Sequence, residues 1–268
     1  MVIINADDLG MTPGANMGIF KGHDEGLLTH ASIMANCDYF DEAIDGIKKR
    51  PNLNLGVHLN LTYAKALIKN PLYCNKDGVF NLGYKDLLLN RNKELLDAIE
   101  QEWDAQIKKT IISSNRELTH LDSHRHIHLI PHLYPIVVKL AKKYNIKRVR
   151  LIKESLLKSL KLTKKVNFIL NGGVIKYLLL KSFSIKDAKY KDLYKELYFY
   201  SILYTGVVEK DVLKKIVNKN ENIEVMLHPS ITSLDRDVYF YDEAEKSYRV
   251  SKDREKELEA ILLAKEKN

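Results

Sequence analysis

The sequence is poor in cysteine: Cys37 and Cys74 are the only two among 268 residues. Two isolated thiols without CxxC spacing argue against a disulfide framework and a thiolate zinc site. Both read as ordinary core or surface residues, and a reducing cytoplasm is the expected setting. No apolar run approaches the roughly 20 residues that a membrane-spanning helix needs. The opening residues are apolar and then acidic, with no basic n-region or cleavage site, so a secretory leader is not expected. No repeat, low-complexity stretch or Pro/Gly/Ser-rich linker divides the chain. With 45% hydrophobic residues the chain can bury a sizeable core, so a disordered protein is not expected. One domain over residues 1–268 is the simplest reading.

The net charge is +8, carried mainly by lysine. The basic excess concentrates between about Lys139 and Lys219. A basic face can hold nucleic acid, but no nucleic-acid motif or stacking-aromatic pattern accompanies the charge. A solvated Lys-rich surface is the favoured reading, and neither nucleic acid nor membrane is expected as a partner.

Short apolar runs alternate with helical periodicities. Val2-Ile3-Ile4 reads as a buried strand ending at Asn5-Ala6-Asp7-Asp8, followed by a helix from about Gly14 to Glu25. Ala31 to Ala35 reads as a strand and Phe40 to Arg50 as a helix. From Leu53 to Leu61 leucine and valine alternate with Asn54, Gly56, His58 and Asn60, which places His58 and Asn60 on one strand face. Leu96, Ile99, Trp103, Ile107 and Ile111 mark a long amphipathic helix with Trp103 in the core. Pro131 can open the next helix. Arg148 to Ile152 and Leu197 to Leu203 read as strands, Asp211 to Val217 as a helix, and Ile223 to Leu227 as a strand ending at His228-Pro229. About seven strands alternating with helices predict an α/β fold with a parallel sheet, closed into a barrel.

Polar clusters stand where the apolar strands run out: Asp7-Asp8, His58, His120 to His128, and His228. In parallel α/β barrels the strand ends converge on one mouth, so these sequence-distant groups can meet. Carboxylate and neutral imidazole suit Zn, Mn, Fe, Co or Ni, and carboxylate with water suits Mg. One carboxylate and two imidazoles leave positions open for water and substrate. A second carboxylate beside them can take a proton from water. Both Asp7 and Asp8 can serve only if the backbone turns at the strand end, because neighbours on an extended strand face opposite ways. If the His-rich segment is extended, His120, Asp122, His124, His126 and His128 share one face. Same-face neighbours lie roughly 6.5–7 Å apart, so at most two reach one ion, and the others would support the ligands or touch substrate. Spacing does not choose among them.

Four blocks carry a family resemblance: Asn5-Ala6-Asp7-Asp8-Leu9-Gly10, Gly56 to Thr62, Thr119 to His124 with His126 and His128, and Met226-Leu227-His228-Pro229. In this order, with a weaker match over Thr29 to Asn36, they resemble the YdjC-type carbohydrate deacetylases, a family that includes chitooligosaccharide deacetylases. The resemblance implies a distorted TIM-like barrel related to the polysaccharide deacetylases, one divalent ion such as Mg²⁺, and a homodimer. It places Asp8, His58 and His124 at metal-ligand positions, Asp7 at the general base, and His228 where an acid could protonate the leaving amine. Asn60 sits within the second block, while Asp122, His126 and His128 match motif positions without an assigned role. Residues 153–195 are Lys-rich and carry no family motif.

The expected function is therefore metal-dependent removal of N-acetyl groups from an amino sugar or short chitin-derived oligosaccharide. Two rivals are another metal-dependent barrel hydrolase (a phosphoesterase or a deacylase of non-sugar amides) and a non-enzymatic protein that binds metal and nucleic acid. Asp7 argues against the second, because a binding protein needs no base beside a complete ligand set.

Overall fold

The computed structural model describes residues 1–162, 173–187, 197–203, 208–219 and 221–265. Among them, six strands form one parallel sheet: β1 (Val2–Leu9), β2 (His30–Ile33), β3 (Asn54–Leu59), β4 (Leu121–Ser123), β5 (Tyr198–Tyr200) and β6 (Ile223–Leu227). Their order is β4-β3-β2-β1-β6-β5, so the first strand of the chain is central. The helices are α1 (Pro13–Asp24), α2 (Phe40–Lys48), α3 (Tyr84–Leu89), α4 (Lys93–Ser114), α5 (Tyr134–Lys143), α6 (Leu156–Leu160), α7 (Gly173–Asp187), α8 (Lys210–Val217), α9 (Glu243–Arg249) and α10 (Lys252–Leu263).

Local chemistry sets several boundaries. Thr12 caps α1 by accepting the Ala15 amide at 3.1 Å, and Pro13 opens the helix. In α4 the predicted stripe buries Ile99, Trp103 and Ile107 completely. That helix stops at Asn115, which takes the left-handed cap conformation that asparagine tolerates. α5 begins at Tyr134 with Pro135 in its first turn, so Pro131 precedes the helix rather than opening it.

The sheet departs from expectation at one edge. Arg148 to Ile152 is not a strand; Val149 makes a single parallel bridge to Leu121. The Leu121 amide donates to the Arg148 carbonyl and the Arg150 amide to the Leu121 carbonyl, both at 2.9 Å. β4 is only three residues long and offers no further ladder. A few residues on, the Lys153 carbonyl accepts the Phe199 amide of β5 at 3.2 Å. This connecting segment therefore touches both edge strands of the sheet. The described sheet has six strands where about seven were expected.

Successive residues of β1 face opposite ways. Ile4 and Ala6 belong to the hydrophobic core. Asn5 and Asp7 lie on the other face, where Asn5 Nδ2 donates to Ser32 Oγ at 2.9 Å and Ser32 Oγ donates to Asp122 at 2.7 Å. A buried polar network thus crosses β1, β2 and β4 on one face. Gly56 on β3 permits it, because a Cβ there would stand 2.4 Å from the His120 ring. His120, buried and held by Thr119 and Ser32 at 2.8 and 2.9 Å, packs into that space.

Candidate metal and catalytic site

The pairing of β1 with β2 shifts register between Ala6 and Leu9, and Asp8 takes a left-handed backbone at φ 68°. Aspartate tolerates that conformation better than most residues. This irregularity supplies the turn that lets two adjacent aspartates reach one site. His58 Nε2 lies 3.2 Å from Asp8 Oδ1 and 4.0 Å from Asp7 Oδ2.

The His-rich segment is not extended beyond Ser123. His124 to Leu129 is a short 3-10 turn, and both Arg125 and His126 are left-handed at φ 55° and 57°. The bend separates residues that an extended strand would align. His124 turns Nδ1 to Asp8 Oδ1 at 3.1 Å. His126 also lines the cavity, with its buried Nδ1 lacking a hydrogen-bond partner. His128 turns away: its Nδ1 meets Ser123 Oγ at 2.6 Å and its Nε2 donates to the Arg150 carbonyl at 3.1 Å. Burial pushes the His128 pKa down to about 3, so both of its nitrogens are committed to this neutral hydrogen-bonded state.

Asp8, His58 and His124 each offer a ligand atom within 4.8 Å of the others, a spacing that fits one ion. The electrostatics agree. Burial opposes a charge on His58, but Asp122, Asp7 and Asp8 outweigh it and push its pKa up to about 10. The carboxylates thus call for positive charge at this spot, which a divalent ion could supply. Burial likewise opposes ionisation of Asp8, yet Arg249 and His58 hold it well below the usual carboxylate range.

Asp7 is differently placed. Arg150 Nη1 donates to its Oδ2 at 2.7 Å and Arg150 Nη2 to its Oδ1 at 2.8 Å, with Asn5 Nδ2 on Oδ1 at 2.8 Å. Burial raises its pKa, Arg150 opposes the rise, and nearby Asp122 adds to it. A carboxylate that binds protons more readily than usual suits a base. Asp122 lies behind the site. Its Oδ1 accepts from His58 Nδ1 at 2.8 Å and fixes that ring, while its Oδ2 contacts Arg150 at 2.6 Å.

His228 follows β6 and presents Nε2 3.7 Å from Asp8 Oδ2. Burial holds its imidazole well below the usual value. Its backbone amide donates to Glu257 at 2.7 Å, and its ring meets Tyr248 edge-on at 5.7 Å. These groups surround a cavity of about 190 Å³ lined by Asp7, Asp8, His58, His124, His126 and His228 among others. Asn60 is buried outside it. Its Nδ2 donates to the Tyr63 carbonyl at 2.6 Å, and its Oδ1 accepts the Thr62 amide at 2.9 Å. It therefore shapes the loop after β3.

Sequence reasoning missed Arg150, Glu245 and Arg249. Arg249 contacts Asp8 Oδ2, and Glu245 Oε1 accepts from Arg249 Nε at 2.8 Å. Glu245 Oε2 also lies 3.6 Å from His124 Nε2, beyond hydrogen-bonding distance. Arg150 carried a detectable signal, a charge alternating with Val149 and Leu151 in an apolar run. Glu245 and Arg249 carried none, since an acid–base pair four residues apart is common on exposed helices.

Fold and site together define a parallel α/β protein with a buried carboxylate–imidazole centre at the carboxyl ends of its strands. The chain belongs to the YdjC-like family, matching the YdjC-like protein description over residues 1–266. It is similar to a carbohydrate deacetylase of Brevibacillus brevis, 36% identical over 54% of this chain and 57% of that protein. The match thus spans little more than half of that relative's length. It is also similar to a carbohydrate deacetylase of Listeria monocytogenes, 29% identical over 85% of this chain and 81% of that protein. Among solved structures, a protein of Enterococcus faecalis described as a cellobiose-phosphate cleavage protein superposes with a TM-score of 0.66. It shares 24% identity, covering 97% of this chain and 90% of that one. That likeness concerns the fold.

Proposed function

We propose that this chain is a metal-dependent deacetylase that hydrolyses the N-acetyl group of an amino sugar or short chitin-derived oligosaccharide. The observation that carries the reading is the meeting of Asp8, His58 and His124 within 4.8 Å, with Asp7 beside them. Asp8, His58 and His124 would hold one divalent ion. When bound, that ion supplies Lewis acidity, which lowers the pKa of water and draws charge from the acetamide carbonyl. Asp7, held by Arg150, takes the proton of the attacking water. His228 would pass a proton to the departing nitrogen; burial favours its neutral form, so it would first take up the proton that Asp7 has drawn from water. Water adds to the carbonyl carbon, the C–N bond breaks, and acetate and a free amino sugar leave. Asp122 orients His58, and His126 borders the space that substrate would fill.

The family resemblance favours Mg²⁺, while two imidazole donors also suit Zn²⁺, Mn²⁺, Co²⁺ or Ni²⁺. On the same resemblance we read residues 1–268 as one domain, a distorted TIM-like barrel, and the protein as a homodimer. We place it in the cytoplasm. No helix among the described residues is long and apolar enough to cross a membrane. The Lys-rich segment at 153–195 falls partly outside the described residues, at 163–172 and 188–195.

The test is acetate release from a panel of N-acetylated mono- and oligosaccharides with Mg, Mn, Co, Ni and Zn in parallel. Chelation should abolish release and a divalent ion should restore it. Phosphate release from sugar phosphates without acetate release would favour a phosphoesterase instead.

A further inference from the structure

A chain of tyrosine rings runs from the site to the surface. The Tyr63 ring lies 6.2 Å from His124, centroid to centroid. Tyr241 follows at 5.5 Å from Tyr63 and Tyr239 at 5.1 Å from Tyr241, each pair nearly perpendicular at 82° and 78°. Exposure rises along the chain: Tyr63 is buried, Tyr241 half-buried, and Tyr239 71% exposed.

The inner part of this chain is firmly held. The Tyr63 carbonyl accepts from Asn60 Nδ2 at 2.6 Å and Asn36 Nδ2 at 3.0 Å. The Tyr241 hydroxyl lies 3.3 Å from the Asp38 carboxylate. The Arg125–Asp242 ion pair, at 3.1 Å, adds exposed charge beside the rings.

An exposed aromatic is ordinary when it stands alone. This one continues a packed row that ends on a proposed metal ligand. A pyranose has a C–H face and a hydroxyl rim, so it packs against an aromatic face while its rim bonds to nearby polar groups. Tyrosine offers both an apolar ring and a polar tip. Phenol, carboxylate and guanidinium stand along this row.

We propose that Tyr241 and Tyr239 form a second sugar subsite, a stacking platform for the pyranose next to the one whose acetamide is cut. The proposal rests on the deacetylase reading and adds that sugar chains are preferred over single sugars.

The experiment is calorimetric titration of metal-free protein with N-acetylglucosamine and its β-1,4-linked trimer, using the parent, Tyr239→Ala and Tyr239→Phe. The parent should bind the trimer more tightly than the monomer. Tyr239→Ala should weaken trimer binding about three- to tenfold and leave monomer binding unchanged, a range set by known aromatic contacts. Tyr239→Phe should keep most of the preference. Tyr239 is exposed, so its removal should leave the melting temperature unchanged. Equal binding of monomer and trimer by the parent, unchanged trimer binding by Tyr239→Ala, or no binding of either sugar would overturn the platform. Acetate release is measured separately on the same three proteins with a divalent ion restored. A trimer preference that depends on Tyr239, without acetate release, would leave the platform standing and remove the deacetylase reading.

Discussion

Arg150 grips Asp7 through both carboxylate oxygens, at 2.7 and 2.8 Å, and its other nitrogen reaches Glu224 at 2.8 Å. It also contacts Asp122 at 2.6 Å, so one buried guanidinium serves three carboxylates. Removing one partner from such a network leaves uncompensated charge, which typically costs about 3–5 kcal/mol. Arg150→Met should therefore lower stability in urea by that order. Arg150→Lys should recover part of the loss, since an ammonium keeps the charge without the fork. A loss under about 1 kcal/mol for Arg150→Met would contradict this reading of the network.

Asp7 and Asp8 should separate on substitution. Asp8→Asn should weaken metal binding and lose activity with it. Asparagine also accepts the left-handed backbone there, so the bulge should survive. Asp7→Asn should keep the metal and lower turnover by about 10²–10⁴-fold, the usual worth of a general base. Excess metal should not rescue it. Near-parental turnover in Asp7→Asn would reduce Asp7 to a structural partner of Arg150.

The three histidines of the bent segment should behave differently. His124→Ala should lose metal affinity in calorimetric titration. His126→Ala should keep it and show its loss in kinetics, because His126 lines the cavity outside the three-ligand set. His128→Ala should act mainly on stability, since its ring bridges Ser123 and the Arg150 carbonyl. Parental metal affinity in His124→Ala would overturn this ligand assignment.

Glu154 gives a stability effect with a definite sign. Burial pushes its pKa up to about 7, although Ser159 and the amides of the 201–203 stretch oppose the rise. The folded state then binds a proton that the unfolded chain has released. Stability from this group is present below about pH 4.3 and fades as pH rises through 7. Glu154→Gln mimics the protonated form. It should match the parent near pH 5 and exceed it by about 1–3 kcal/mol at pH 8. Urea midpoints at both pH values decide it, and a difference independent of pH would refute the assignment.

The sequence made some of this legible and hid the rest for physical reasons. Ile223–Leu227 forms as predicted, because a bounded apolar run in a parallel sheet leaves little choice. His58 and Asp122 lie on one polar face because period two survives in a paired strand. The choice of His124 was invisible to spacing: two left-handed residues follow it, and a bend of that kind has no periodicity. Arg148 to Ile152 looks like a strand by alternation. Its neighbour β4 is too short to extend the ladder, and Arg150 instead joins the ion network inside. Arg249 reached the site from the far end of the chain, which only the tertiary fold could reveal.

The central position of β1 also sets an order of events during synthesis. Of the six described strands, β1 leaves the ribosome before the others, yet β6 beside it leaves after them. At about 5–20 residues per second, the wait between them is on the order of tens of seconds. Throughout it, Asp7 and Asp8 sit on a nascent strand with one open edge. Arg150 emerges part-way through that wait, and Arg249 only after β6 itself. Until the chain is complete, Asp8 lacks the Arg249 that pairs with it, and β1 lacks its β6 neighbour until residue 227 is made. The site closes only when the C-terminal helices have been made.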